Sequence, residues 1–465
     1  MSASSLDQVV SLCKRRGFIF PGSEIYGGLA NSWDYGHLGC ELKSRVHKHW
    51  WDAFVRKRPD MLGLESSNLM NPKVWEASGH VGNFGDALVE CKKCHQRFRG
   101  DKLLEEKIGV EAAARFTMND LHPALLKEKI PCPSCSACDW TPAKKFNLMF
   151  RTQQGVVEEE GSEIYLRPET AQGMFVNFKN YLDAYRLRLP FGIAQVGKSY
   201  RNEITPGNFT FRTREFEQME IEYFVEPGTE MDHFTQWLDA LQQWYADIGV
   251  SHQRMRVREH TNEERSHYSS RTVDIEYEYP WGWGELVGLA NRSDYDLTQH
   301  QKHSGADLRY TDPDDPTKKF LPYVIEPAFG LTRTVLVLLL EAYTEEKLPN
   351  DDTRTVMKFH PSLAPIDVAI LPLSKKEHLI GKAQEVYKKL VQQTGLNVDF
   401  DVTGSIGKRY RRQDEVGTPK CITVDFGTLG EDPAQGESDT VTVRDRDTLE
   451  QVRLPIGNIL EYAKK

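Results

Sequence analysis

The residues best suited to chemistry fall in one segment, residues 191–225, where arginines, carboxylates and an aromatic ring recur at short spacing. Arg201, Arg212 and Arg214 supply guanidinium groups, whose planar donors match phosphate oxygens. Phe216 offers a ring face of the kind that stacks on a purine. This set favours a nucleotide site, and the alternative is a solvated sheet face whose charges pair across strands.

A strand with two different faces is predicted to position these groups. The sequence after Arg214 alternates with a period of two, which separates one apolar set from one polar set. The apolar set is Met219, Ile221, Tyr223 and Val225, and the polar set is Phe216, Gln218, Glu220 and Glu222. Arg201 and Glu203 precede this strand across a Gly/Pro/Asn loop at residues 206–208, which predicts an antiparallel pair.

A second chemical segment spans residues 326–343. A short apolar strand, residues 323–325, precedes Glu326, and Gly330 is predicted to allow a tight turn into an apolar helix. Arg333 falls in the first turn of that helix. It would lie either beside a bound polyphosphate or in a structural ion pair on a buried helix.

The cysteines form two close pairs. Cys91 and Cys94 have CxxC spacing, as do Cys132 and Cys135, and Cys138 follows as an extra thiol. Two such pairs fit a tetrahedral, structural Zn²⁺ site, and the alternative is reduced thiols without a metal. A site closed by four thiolates leaves no open position for a metal-bound water, so we expect the zinc to be structural and not catalytic.

The C-terminal region changes to an alternation of strands and helices after a linker at residues 360–365. Its GSIGKRYRRQDEVG segment lacks the P-loop spacing, so the GxxGK within it is rejected as a phosphate loop. The same segment carries a basic patch of Lys408, Arg409, Arg411 and Arg412. Such a run is either a solvated face or an RNA contact.

Composition sets the remaining limits. The chain has 465 residues, 59 of them basic and 68 acidic, so its net charge of −9 excludes a wholly basic nucleic-acid binder. No apolar run approaches the length of a membrane span, and the N-terminus lacks the apolar core of a signal peptide. We therefore expect a cytoplasmic protein with no membrane partner.

The sequence predicts four parts of the chain. They are residues 1–86, an insertion at 87–148, a catalytic core at 149–360 and a C-terminal domain at 361–465.

The joint motif pattern resembles the class II aminoacyl-tRNA synthetases. Arg201-Asn202-Glu203 followed by Arg212, Phe216 and Glu220 is similar to motif 2, GLTR at 330–333 to motif 3, and NLMNPKVW with Pro72 to motif 1. Further strings resemble glycyl-tRNA synthetases of the homodimeric type. These strings are ANSWDYGHLG, NPKVWEASGHVGNF, YLRPETAQGMF, GELVGLANRSDYDL and GSIGKRYRRQDEVGTP.

The resemblance implies an α+β class II catalytic core, an antiparallel sheet flanked by helices, with a small Cys-rich insertion and a C-terminal α/β anticodon-binding domain. It also implies that ATP activates glycine, with Arg201, Glu203 and Arg333 as catalytic residues. Phe216 and Arg333 would sandwich the adenine, and Glu285 would lie near ATP or its Mg²⁺. The implied ATP-binding residues are Arg201, Asn202, Glu203, Phe211, Arg212, Thr213, Arg214, Glu215, Phe216, Glu285, Leu286, Gly330, Leu331, Thr332 and Arg333.

Glycine recognition would use carboxylates for the ammonium group in a hole too small for larger side chains. The implied glycine-binding residues are Arg99, Glu169, Phe216, Glu217, Gln218, Met219, Glu220, Arg292, Glu326, Ala328 and Gly330. Ala328 departs from the family pattern, which has serine there, and His37 replaces a proline. Both departures leave the reaction class unchanged, but the lost hydroxyl weakens the expected hold on glycine.

For the other sites, the resemblance implies zinc on Cys91, Cys94, Cys132 and Cys135, with Cys138 as an alternative ligand. It implies RNA contact by the basic patch and a homodimer that acts on tRNA(Gly). Two other interpretations stay open at this stage. One is a class II synthetase relative with a different amino acid, and the other is an accessory nucleic-acid-binding subunit that has lost its ATP site.

Overall fold

The computed structural model describes residues 5–113, 115–155, 163–262, 264–266, 268–348 and 351–463. Within these ranges a mixed sheet flanked by helices forms the core, a small cysteine-containing module interrupts it, and an α/β domain follows. The fold class predicted from the sequence is therefore confirmed. No helix in the described ranges is long and apolar enough to cross a membrane.

The elements follow in chain order. The first part contains α1 (Leu6–Arg16), β1 (Ile19–Pro21), β2 (Trp33–Tyr35), α2 (His37–Trp51), β3 (Met61–Leu64), α3 (Pro72–Ala77) and α4 (His80–Asn83). The insertion contains β4 (Gly85–Glu90), β5 (Arg97–Arg99), α5 (Gly100–Ile108), α6 (Val110–Ala113), α7 (Met118–Lys127) and β6 (Lys144–Asn147).

The core continues with β7 (Arg151–Gln153), β8 (Glu163–Tyr165), α8 (Ala171–Tyr185), β9 (Phe191–Tyr200), β10 (Glu215–Val225), α9 (Glu230–Asp247), β11 (Met255–Glu259), β12 (Arg271–Tyr279), β13 (Gly282–Ser293), α10 (Tyr295–Ser304), β14 (Tyr310–Thr311), β15 (Lys319–Phe320), β16 (Tyr323–Gly330) and α11 (Leu331–Ala342). A hairpin of β17 (Tyr343–Lys347) and β18 (Thr353–Met357) comes next. The last domain contains β19 (Val368–Pro372), α12 (Glu377–Thr394), β20 (Val398–Phe400), α13 (Ile406–Val416), β21 (Lys420–Val424), β22 (Thr440–Asp445), β23 (Gln451–Pro455) and α14 (Ile459–Ala463).

The central sheet positions the candidate site. Its strand order is β11-β12-β13-β16-β10-β9-β3, antiparallel throughout except for the edge pair β3–β9. The predicted antiparallel pair is confirmed, because β9 and β10 pair from Phe191–Phe224 to Tyr200–Glu215. Strand β16 leads directly into α11, as the apolar run predicted.

Both faces of β10 are covered by other elements. The alternating side chains of β10 therefore point into two different buried regions, and neither set faces solvent. Met219 and Ile221 are fully buried in the main core with α2, α9 and α11. On the other face Phe224 packs against Phe178 of α8, with 4.6 Å between ring centroids. The charged residues of that second face are therefore enclosed between the sheet and α8.

The C-terminal domain has a mixed sheet of order β20-β19-β21-β22-β23. The alternation predicts strands at residues 366–373, 396–402, 421–427 and 439–446, and all four are present as β19 to β22. Strand β23 and helix α13 were not predicted as elements from the sequence. Strand β23 pairs with β22 at the sheet edge, and none of its residues is fully buried, so it lacks the apolar run that marks an interior strand.

A buried ionic junction joins this domain to the core. Asp414 of α13 accepts from Arg354 of β18 at 2.8 and 2.9 Å and from Arg444 of β22 at 2.9 and 3.1 Å. Arg45 of α2 donates two 2.7 Å bonds to Asp367, just before β19. Because β17 and β18 directly follow α11, the junction connects α13 to the helix that carries Arg333.

Candidate active site

The site lies on the α8-facing surface of β9, β10, β16 and β13. Phe216, Gln218 and Glu220 of β10 share this surface, as the alternation predicted. Glu220 is paired with Gln195 of β9 on one side and with Ala328 of β16 on the other. The two chemical segments seen in the sequence therefore meet side by side in the sheet.

Arg201 lies at the end of β9 between two aromatic rings. Its guanidinium is 5.2 Å from the ring centre of Phe216 and 5.3 Å from that of Phe84. Its Nε donates to the Pro168 carbonyl at 3.0 Å. These contacts fix the plane of the guanidinium where β10 begins, which suits recognition of one phosphate group.

Arg333 opens α11 and faces Glu285 of β13. Its Nη1 is 3.0 Å from Glu285 Oε1, and Arg333 lowers the pKa of that carboxyl below its usual range. The ring under Arg333 is Phe211, at 4.7 Å, and not Phe216. Phe216 contacts Arg201 instead, and the predicted sandwich of an adenine between Phe216 and Arg333 stays a prediction.

Gly330 also serves a different purpose from the one predicted. Its φ of −88° is open to any residue, so no left-handed turn requires a glycine there. A Cβ at this position would lie 3.0 Å from Cβ of Arg333. The glycine thus leaves room for the arginine side chain.

An N-terminal loop supports the segment between β9 and β10, a contact that sequence reasoning missed. Asn31 Nδ2 donates to the carbonyl of Arg212. Arg214 donates to the carbonyls of Ala30 at 3.1 Å and of Glu203 at 3.2 Å. The glycine-rich string around residue 30 was noted in the sequence, but nothing in it indicated which loop it would touch.

The pocket beyond Arg201 is lined by carboxyl groups. Glu169 contacts His80 Nε2 at 3.2 Å and accepts from Gln172 at 3.0 Å. Glu220 accepts from the backbone N–H of Thr170 at 3.1 Å and from its hydroxyl. Burial and the nearby charge of Glu169 raise the pKa of Glu220 to about 7.

Arg292 is the guanidinium at the centre of these acids. It donates to Asp296 at 2.7 and 2.9 Å and also to Glu326. Its plane lies 3.9 Å from the ring centre of Tyr268. Burial raises the pKa of Glu326 to about 8, although Arg292 opposes that shift.

Four further residues belong to this pocket but were not predicted as site residues: His80, Thr170, Asp296 and Glu222. Three of them contact a predicted residue directly. Glu222 shares the face of Glu220, and this period-two relation was the available signal. For the others the sequence carried no comparable signal, although Thr170 directly follows Glu169 and Asp296 lies four residues after Arg292.

Several predicted residues point elsewhere. Glu217 and Met219 are on the opposite face of β10, where Glu217 pairs with Lys43 and Met219 lies in the core. Leu286 and Leu331 are also core residues. The hydroxyls of Thr332 and Thr213 bind the backbone of Glu217 and Glu215, respectively, and Glu215 pairs with Lys198.

Arg99 lies in the cysteine-containing module. Its guanidinium is 3.2 Å from Asp86 and 2.6 Å from Asp101. The negative charge of Glu203 also acts on the Arg99 guanidinium. The structure therefore places Arg99 beside the Glu203 end of the site, and its ion pairs are with neither Glu169 nor Glu326.

The four predicted cysteines converge. Cys91 Sγ is 3.6 Å from Cys135 Sγ, and Cys94 Sγ is 3.6 Å from Cys132 Sγ. All four sulfurs lie within 4.8 Å of one another. Cys138 is outside this group, exposed, with its thiol 3.5 Å from the Lys129 carbonyl.

The basic patch lies on α13, but only part of it is on the surface. Lys408 and Arg411 are exposed, and Arg412 donates to Asp401 at 2.8 Å. Arg409 is 1% exposed and donates to the carbonyls of Pro372, Val402 and Gly404. Arg409 is therefore part of the domain interior and does not belong to the patch.

Residues 150–343 match the tRNA synthetase class II core domain (G, H, P, S and T), and residues 367–465 match an anticodon binding domain. These matches and the fold place the chain among the class II aminoacyl-tRNA synthetases. Among curated proteins, the chain is 53% identical to the glycine–tRNA ligase of Geobacillus thermodenitrificans, over all of this chain and 98% of that protein. It is 54% identical to those of Bacillus thuringiensis and Clostridium beijerinckii, over 99% and 98% of this chain and 99% and 97% of theirs. The chain belongs to the glycine–tRNA ligase family.

Proposed function

We propose that this protein is a glycine–tRNA ligase that activates glycine with ATP and transfers it to the 3′ end of its tRNA. The observation that carries the proposal is the juxtaposition, on one sheet face, of Arg201 with the buried acids Glu169, Glu220 and Glu326. This arrangement offers a phosphate-binding group next to a site for an ammonium group. The name shared by the relatives supports the same reaction.

The first step joins glycine to the α-phosphate of ATP. The glycine carboxylate attacks phosphorus, pyrophosphate leaves, and no general base is needed because the carboxyl is already ionised at neutral pH. We assign Arg201 to the α-phosphate and Arg212 and Arg333 to the outer phosphates, where they neutralise charge in the transition state. Mg²⁺ supplies further charge neutralisation when bound, and Glu285 is the carboxylate placed to hold it.

Glycine selection depends on what the pocket lacks. The acids satisfy an ammonium group, and Ala328 lies beside Glu220 on the neighbouring strand, where a methyl leaves no hydroxyl to bind substrate. A rigid pocket that admits no side chain rejects larger amino acids by overlap rather than by missing contacts.

We assign a structural Zn²⁺ to Cys91, Cys94, Cys132 and Cys135. A Zn–S bond of about 2.3 Å gives sulfur–sulfur edges of about 3.8 Å in a regular tetrahedron, close to the observed 3.6 Å. A disulfide would require about 2.05 Å.

For the partners, we propose that the exposed face of α13 contacts tRNA(Gly) through Lys408, Arg411 and Arg412, and that the enzyme works in the cytoplasm. A homodimer is proposed through the motif 1 segment at residues 68–75, which leads into α3, and through α2 and β3. Beside them is an open cavity of about 690 Å³ lined by Ser44, His47 and Trp51 of α2 and by Gly63 and Leu64 of β3.

The deciding experiment is ATP–pyrophosphate exchange with glycine, alanine and serine in parallel. Exchange with glycine alone supports the reaction and its specificity. Exchange with alanine or serine would keep the reaction class and overturn the specificity. A folded protein that binds tRNA without exchange would instead be an accessory subunit.

A further inference from the structure

Within the described part of the chain, Glu222 is the carboxyl group of the pocket that has no hydrogen-bond donor. Its side chain is 0% exposed, and neither carboxyl oxygen has a partner among the described residues. It shares the face of β10 with Glu220, and the register of β10 with β16 places Glu326 opposite it. Its oxygens and those of Glu220 and Glu326 lie within 4.8 Å of one another.

The neighbouring acids do have donors. Glu220 accepts two bonds from Thr170, and Glu326 accepts from Arg292. Arg292 also donates to Asp296 from Nε and Nη2. Glu222 alone among these acids is left without a donor.

The charges facing Glu222 come from four elements. They are Glu220 on its own strand, Glu326 on β16, Arg292 on β13 and Asp296 on α10. A carboxylate removed from both water and donors is costly, and three acids against one guanidinium do not offset that cost. Burial, followed by the charge of Glu326, raises the pKa of Glu222 well above its usual range.

We propose that Glu222 is a further glycine-binding residue, which holds a proton until the substrate ammonium enters between Glu220 and Glu326 and then becomes its third acceptor. The O–H bond of Glu222 breaks, and the proton leaves to water past Glu326, which is 7% exposed. A nitrogen that makes three hydrogen bonds of about 2.8 Å needs oxygens no more than about 4.6 Å apart, and the oxygens of the three acids lie within 4.8 Å of one another. This inference rests on the proposed glycine activation.

The test is the pH dependence of the glycine KM in ATP–pyrophosphate exchange, together with proton release measured calorimetrically in two buffers of different ionisation enthalpy. The unaltered protein should release about one proton per glycine bound. At pH values below the pKa of the cluster, the glycine KM should fall about tenfold for each unit by which the pH is raised. Glu222→Gln should show a raised KM with a shallower dependence on pH, a smaller change in kcat, and less proton release than the unaltered protein, because Glu220 and Glu326 remain. Glu341→Gln is the control, because Glu341 is a carboxylate outside the pocket, bonded by Tyr277 and Arg254.

A Glu222→Gln protein that keeps the original pH slope or proton release would overturn the inference. Exchange with a pH-independent glycine KM in the unaltered protein would also overturn it, while leaving the proposed function intact. Absence of glycine-dependent exchange would instead reject the function. If Glu222→Gln does not fold, the infrared difference spectrum decides: glycine should abolish a protonated-carboxyl band that Glu222→Asp shifts, and a spectrum without that band contradicts the proposal.

Discussion

The guanidinium of Arg333 is held by Glu285 at two points. Nη1 lies 3.0 Å from the carboxylate Oε1 and donates to the backbone carbonyl of Glu285 at 3.1 Å. The arginine is thus aligned along β13 at the start of α11, with the ring of Phe211 below it. An arginine held in this way binds phosphate with little loss of side-chain entropy.

Replacing Arg333 by alanine should nearly abolish adenylate formation. Loss of one preorganised donor to a developing charge costs about 10²–10³-fold in rate, and a guanidinium is the stronger kind of donor. The measurement is ATP–pyrophosphate exchange, with circular dichroism to verify the fold. Arg309→Ala, at an exposed ion pair with Asp307, is the control, and normal exchange by Arg333→Ala would contradict the assigned role.

Charge reversal at Lys408 and Arg411 should weaken tRNA charging while sparing glycine activation. Both residues lie on the exposed face of α13, so phosphate contacts are lost without disturbing the nucleotide site. We expect kcat/KM for tRNA to fall about tenfold or more, and the difference to shrink as salt is raised. Equal losses in charging and exchange would show that α13 is not the RNA-binding face.

Serine substitution at Cys91 or Cys132 should remove bound zinc. Each change deletes one of four thiolates of a closed tetrahedral site. The measurement is metal content by mass spectrometry, expected at about one zinc per chain in the unaltered protein and about none in the variants. Cys138→Ser is the matched control, and its loss of zinc would reassign the site.

Ala328→Ser should tighten glycine binding. The position lies next to Glu220 on the adjacent strand, and a hydroxyl there can bond a substrate group in a buried pocket. One such bond contributes about 0.5–1.5 kcal/mol, so the glycine KM should fall about two- to tenfold. Gly288→Ala on the next strand, where a Cβ has 3.8 Å to its nearest atom, tests added bulk alone. An unchanged or raised KM in Ala328→Ser would refute the contact.

Asp414→Asn should destabilise the C-terminal domain strongly. The carboxylate is 3% exposed and accepts from Arg354 and Arg444, so the change leaves two buried guanidinium groups short of a counter-charge. Breaking a buried pair costs about 3–5 kcal/mol in the free energy of unfolding, measured by urea titration. Asp439→Asn, at an exposed pair with Lys382, should cost less than about 1 kcal/mol.

The sequence predicted the parts of the site that follow from local periodicity. The alternation in β10 placed Glu220 on one face and Met219 on the other, and the structure confirms both. That same rule argues against the predicted glycine contacts of Glu217 and Met219, which came from the resemblance rather than from the alternation.

Other features depend on tertiary packing and could not be inferred. The partners of Phe211 and Phe216 are set by the path of the loop between β9 and β10. Arg409 reads as one more charge in a basic run, yet the helical period of α13 turns it inward to three carbonyl groups. The composition of a basic run does not show which of its side chains is buried, because that depends on how the helix packs against the rest of the domain.

The ionic junction at Asp414 has a consequence for substrate size. It fixes α13 to the hairpin that continues α11, so the span between the nucleotide site and the basic face is determined by the protein and not by the bound RNA. An RNA whose two ends are further apart or closer together than this span cannot engage both at once. With α13 as the proposed RNA-binding face, we therefore expect the protein to discriminate between RNAs by the distance between their two ends.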